Sequence, residues 1–228
     1  MRSSTVRARL TGVAALAALA LVVAGCGGSG SSDKASASAS PSPSVAVPDG
    51  VTLTKPGEKL SFGDTADVAY QPNPQRSTVI SLKVTKVVRA SIKDFSAYVL
   101  DKRTKTSTPY YVHVQVQNLG DGNIGGTDVP VWAVNSDDVL IHSSTFTNAF
   151  APCPSPALPK SFGNGAKLTT CLVYLLPDHG TLDAVSFRPR QEVAGIQWTG
   201  TVISAKADAK AQKQAQKQAK KKTKKAQP

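Results

Sequence analysis

The chain is 228 residues long and carries a formal net charge of +12. Three of those charges sit in the first nine residues and eight in residues 204–228, which leaves +1 for residues 26–203. The body is nearly neutral, which argues against a nucleic-acid binder, and the basicity is an appendage; what remains after a short leader is enough for one domain with flexible ends.

Residues 1–9 hold Arg2, Arg7 and Arg9 and no acid, and an apolar stretch over 10–24 follows, broken only by Thr11 and Gly12. That grammar predicts an export signal over residues 1–25. A spanning helix needs about 20 apolar residues, and this run is shorter and gives way at once to Gly and Ser. The run ends in Val23-Ala24-Gly25-Cys26, which resembles the lipobox of bacterial lipoproteins. The resemblance implies cleavage before Cys26, a diacylglyceryl thioether on its sulfur and an extracytoplasmic protein tethered to the membrane. Each buried CH₂ contributes about 0.8 kcal/mol, so two or more chains hold where one does not. No spanning helix is needed.

Residues 26–50 are mostly Gly, Ser, Ala and Pro after the cysteine and cannot bury enough apolar area to fold, so a disordered, flexible spacer is expected. Ser31-Ser32-Asp33-Lys34 matches the S-x-x-K of penicillin-recognising enzymes only formally, because that nucleophile needs a rigid helix start.

Residues 51–203 read as strands and turns. Val79, Ile80, Leu82, Val84, Val87 and Val88 make a long β-branched run. Over 110–117 the chain alternates, with Tyr110, Val112, Val114 and Val116 on one face and Tyr111, His113, Gln115 and Gln117 on the other. Period two is the mark of a strand with one buried face, so His113 is expected to point outward. Further short strands are predicted over 129–134, 139–142, 168–176, 182–187 and 196–203, separated by turns rich in Gly, Asn and Asp. No helix is expected inside the body. The pattern predicts an all-β, antiparallel β-sandwich.

Cys153 and Cys171 remain once Cys26 is lipidated. An even pair in an exported domain usually bridges, and neither has the spacing of a metal or redox motif, so a structural disulfide is expected.

The run Tyr110-Tyr111-Val112-His113-Val114-Gln115-Val116-Gln117-Asn118 is similar to the strand-plus-Asn signature of an immunoglobulin-like domain of unknown function. That domain occurs in exported lipoproteins of actinobacterial type and is related to a mycobacterial secreted immunogenic antigen family. Residues 158–177, with Gly163 and Gly165 before the strand, and residues 182–187 fit it too. The likeness covers roughly residues 60–200. It implies an immunoglobulin-like sandwich and carries over no catalytic residue.

Candidate sites are few. His113, His142 and His179 offer neither H-x-x-x-H nor HExxH and read as surface histidines, since zinc needs three or four converging ligands. The loop over 121–128 places Asp121, Asn123 and Asp128 like the start of a calcium loop, but Trp132 stands where the closing Glu belongs; a glycine-rich connection is the expectation. Asp137 and Asp138 are adjacent and face opposite ways on an extended backbone. No catalytic residue, metal or cofactor is predicted. The aromatics Trp132, Phe146, Phe150, Phe162 and Trp198 read mainly as core, with a ligand-binding cluster among them as the alternative.

In the tail, residues 204–228, Lys206, Lys210, Lys213, Lys217, Lys220 and Lys224 are spaced four, three, four, three, four, one stripe on a helix. Ala and Gln favour the helix while lysines one turn apart repel, so a partly helical tail that orders on a polyanion is expected. The predicted partners are the membrane through the lipid, anionic lipid headgroups or phosphate-bearing envelope polymers through the tail, and an unidentified protein, without specific nucleic-acid recognition; a solvated, solubilising tail is the bland reading.

Overall fold

A computed structural model describes residues 45–225. The export signal, Cys26 and the spacer up to residue 44 lie outside the described residues. The body is all-β, with two five-stranded sheets. In chain order the elements are β1 (Lys59–Ser61), β2 (Thr65–Asn73), β3 (Arg76–Arg89), a 3₁₀ turn (Ile92–Phe95), α1 (Lys102–Lys105), β4 (Thr108–Asn118), β5 (Trp132–Asn135), β6 (Leu140–Ile141), β7 (Lys167–Leu176), β8 (Leu182–Phe187), β9 (Ile196–Thr199), β10 (Ile203–Ser204) and α2 (Ala205–Lys225). One sheet runs β1-β9-β8-β5-β6; the other runs β10-β3-β4-β7, with β2 on the same edge of β3 as β10.

The sheets are not purely antiparallel as expected. β1 runs parallel to β9, and β10 runs parallel to β3. Both exceptions are edge pairings of two or three residues. The expected strand over 196–203 is two strands, β9 and β10, on different sheets. The two short helical turns between β3 and β4 also depart from the reading of a helix-free body. Each has a cap: Ser91 accepts from the Lys93 amide (3.2 Å), and the Asp101 carboxylate accepts from the Thr104 amide (2.7 Å).

The core between the sheets takes Ile80, Leu82, Val112 and Val114 from one side and Ala133, Val185, Ile196 and Trp198 from the other. Full burial of such aliphatic side chains contributes about 1.5–3 kcal/mol each. Two polar handles in this core are satisfied: the Trp198 indole donates to the Asp64 carbonyl (3.0 Å) and the Tyr174 hydroxyl to the Val131 carbonyl (2.6 Å).

β4 ends on Asn118, which is fully buried. Its amide donates to the Gly122 carbonyl (2.7 Å) and the Phe162 carbonyl (2.8 Å), and its oxygen accepts from the Thr78 hydroxyl (2.7 Å) and the Gly120 amide (3.2 Å). Asn118 thereby ties together β3, the 119–131 connection and the segment leading to β7. Gly122 has to be glycine for this, because a Cβ there would overlap the Ser77 carbonyl oxygen.

β3 carries a bulge at Thr85: Val84 pairs with Val114 and Lys86 with His113, leaving one extra residue between. Before the bulge, Ile80, Leu82 and Val84 face the core; after it, Val87 does, and Lys86 and Val88 face outward. An unbulged strand would aim Lys86 inward, which no apolar core tolerates. The Thr85 hydroxyl donates to the His113 carbonyl (3.1 Å) and closes the gap.

That outward face is not bare. A second apolar cluster forms on it from Val88, Tyr111, Val173, Phe95 and Phe150 together with the disulfide between Cys153 and Cys171, whose Cα atoms are 5.1 Å apart. The bridge joins the segment before β7 to the middle of that strand, as the pairing of these two cysteines predicts.

Candidate functional site

The cationic tail is attached to this outward face. The Ser204 hydroxyl accepts from the Ala207 amide (3.2 Å) and starts α2. Asp208, in the first turn, takes the Lys86 ammonium on one carboxylate oxygen (2.6 Å) and the Gln212 side-chain amide on the other (2.8 Å). A carboxylate near a helix N-terminus is also favoured by the helix dipole. The tail expected to be partly helical is one helix of 21 residues, about 30 Å long at 1.5 Å per residue. Ala and Gln between the lysines supply the propensity, and the cap and the ion pair offset the repulsion.

The geometry decides which way the lysines point. Asp208 lies two residues beyond Lys206, about 200° round the helix, and so on the side away from the lysine stripe. With Asp208 held by Lys86, Lys206, Lys210, Lys213, Lys217 and Lys220 are turned away from the body, and all are exposed. Lys224 lies on the helix, but its side chain falls outside the described residues. The arrangement presents a row of cations that the body's own surface does not neutralise.

His113 was expected on an open strand face, but it is only partly exposed and sits beside this anchor, its Nε2 3.8 Å from the Cys171 sulfur. Burial lowers its pKa, the Lys86 charge lowers it further, and Asp208 partly opposes both. The unfolded chain thus binds the proton more tightly than the folded one. Stability is full above the ordinary histidine range and falls as the pH drops through and below it. Urea midpoints at pH 7 and pH 5 are expected to differ by less in His113→Gln than in the native protein.

The other expected sites stay apart. His142 stands edge-on to Trp132 with ring centroids 5.7 Å apart, and His179 lies in the turn before β8. In the 121–128 loop, Asn123 uses its oxygen on the Gly125 and Phe162 amides (both 2.9 Å), and Asp121 faces the Asn164 amide (3.2 Å). These are the contacts of a loop closed on itself. Among the described residues no group of three or more His, Cys, Asp or Glu gathers, and no helix is long and apolar enough to cross a membrane. Of the five aromatics, Phe162 and Trp198 join the inter-sheet core, Phe146 and Phe150 the outer cluster, and Trp132 is half-buried at the β5 end.

An apolar cavity of about 290 Å³ opens between β2 and the β8–β9 connection, lined by Leu53, Val68, Phe187, Val193 and Ile196 among others. No local pattern announces it, since its walls come from four separated segments. Lys86 and Asp208, which anchor the tail, were also missed: only the solitary acid in a run of lysines marks Asp208 as unusual. The chain matches no family model, no curated protein and no solved structure.

Proposed function

We propose that this protein is an extracytoplasmic lipoprotein, anchored through Cys26, whose immunoglobulin-like sandwich holds a cationic helix toward an anionic envelope surface. It acts by binding, not by catalysis. The observation that carries the reading is the Asp208–Lys86 clamp, which turns the lysine stripe outward from a body of nearly neutral charge. A tail serving only solubility gains nothing from a fixed orientation. Each lysine near an anionic surface contributes about 1 kcal/mol, screened by salt. The lipobox-like run ending in Cys26 and the resemblance of residues 110–118 to the strand signature of immunoglobulin-like lipoproteins support the address.

Fractionation of producing cells tests both halves. Cys26→Ala is expected to leave unprocessed precursor or release protein to the medium. For the mature chain with Cys26→Ser, truncation after Ser204 is expected to weaken binding to anionic vesicles or isolated wall about a thousandfold or more at low salt, with a smaller loss at high salt. Equal binding of truncated and intact chains at both salt concentrations would reject the role of the tail. A ligand-sensing accessory role is the second reading, and it rests on the 290 Å³ apolar cavity, which is near the lower size limit for a small-molecule site.

A further inference from the structure

The connection between β3 and β4 exposes an apolar point held in place by unusual order. Phe95, 2% exposed, stacks on Phe150 with ring centroids 4.6 Å apart, and Phe146 stacks on Phe150 at 5.0 Å. Tyr98 sets its ring edge-on against Phe146 (5.7 Å) while remaining 37% exposed. Leu100 turns back into the same cluster. Between them Val99 is thrown out completely, with a relative exposure of 105%. Single exposed apolar residues are common on protein surfaces; this one stands on a cluster tied down by aromatic stacking and a disulfide.

Its flanks carry an excess of cations, four against the two acids Asp94 and Asp101, a net of +2. Lys93, Lys102, Arg103 and Lys105 are exposed on either side of it. The two acids of the segment are engaged within it or its base: Asp94 accepts from the Tyr111 hydroxyl (2.8 Å), and Asp101 caps α1. The segment also leaves the body beside the tail. Ser204, the last residue before α2, pairs with Arg89, and Ile203 packs in the outer cluster with Ile92.

We propose that Tyr98 and Val99, flanked by Lys93, Lys102, Arg103 and Lys105, form an insertion contact with an anionic lipid bilayer. Apolar side chains enter the boundary between headgroups and acyl chains while cations meet the headgroups, and tyrosine favours that depth. The inference deepens the function proposed above, because it selects lipid over a phosphate polymer as the polyanion: a polymer in water offers Val99 no apolar phase.

The test uses the mature chain with Cys26→Ser and Val99→Cys, in which residue 99 is the single free thiol, labelled with the environment-sensitive fluorophore NBD. Phosphatidylglycerol-containing vesicles are expected to raise its emission about threefold and shift it to the blue, whereas phosphatidylcholine vesicles and soluble polyphosphate leave it unchanged. Val99→Asp is expected to weaken binding to the anionic vesicles about fivefold without moving the thermal unfolding midpoint, since the side chain is fully exposed. A silent label on protein that co-sediments with those vesicles would overturn the insertion contact and leave the tail reading standing. A label that ignores vesicles but responds to a protein partner would overturn it too. If truncation after Ser204 changes nothing while the label still responds, the tail reading fails and the loop contact stands.

Discussion

Replacing Asn118 with leucine is expected to remove about 4 kcal/mol, a large part of the stability of a domain this size. Leucine has the same branched skeleton and is bulkier, so no cavity is left and crowding at this fully buried site adds to the polar loss. Four groups lose a partner at once: the Gly122 carbonyl and the Thr78 hydroxyl, and also the Phe162 carbonyl and the Gly120 amide, which keep the Ile124 amide (3.3 Å) and the Val79 carbonyl (3.1 Å). Each buried group left without a hydrogen bond costs about 1–3 kcal/mol, and a mobile hydroxyl recovers some of it. Asn118→Asp should cost at least as much, because a carboxylate would then face two carbonyl oxygens. Urea unfolding measures the loss. Adding Thr78→Val to Asn118→Leu should return part of it, since removing both partners of a pair is cheaper than removing one. A loss below about 1.5 kcal/mol for Asn118→Leu would show that water replaces the missing amide.

The second large effect is expected from Cys153→Ala combined with Cys171→Ala. The bridge closes a loop with a sequence separation of 18, which corresponds to about 3 kcal/mol of lost unfolded-state entropy. The consequence is also local. Both half-cystines are buried in the outer cluster against Phe150 and Val173. Without the bond, the segment carrying Phe146 and Phe150 is held over β7 by its ring stacking and by the backbone hydrogen bonds at its ends, from the Ser144 amide to the Val173 carbonyl (2.7 Å) and from the Ser155 amide to the Cys171 carbonyl (2.8 Å). Amide exchange in residues 144–153 is therefore expected to accelerate more than exchange in β3 or β4. Uniform acceleration throughout the body would mean that the bridge acts on global stability alone.

The sequence made one face of the sheet legible and the other not. Val112, Val114 and Val116 alternate with polar residues, and they face the core as period two requires. Tyr111 and His113 obey the same alternation, yet they are covered, because residues 91–100 and 144–153 and the start of α2 fold over them. Those contacts join segments far apart in sequence, and no local pattern announces them. β2 was passed over because Ala, Asp, Gln and Pro dilute its β-branched signal; it forms because β3 presents it with a complete edge. The cap before the 3₁₀ turn was there to be read in Ser91 and Asp94, three residues apart. The lysine stripe was fully legible, since its spacing alone fixes it. Its direction was not, because that depends on Lys86, and Lys86 faces outward only through a bulge that leaves no mark on composition.

The join between α2 and the body is slender. β10 meets β3 through two residue pairs, and beyond them stands the Lys86–Asp208 ion pair. A pull along α2 would be borne by that short splice, while β3, β4 and β7 are zipped to one another along most of their length. The helix should therefore detach under load well before the sandwich yields, making the splice a mechanical fuse that spares the fold.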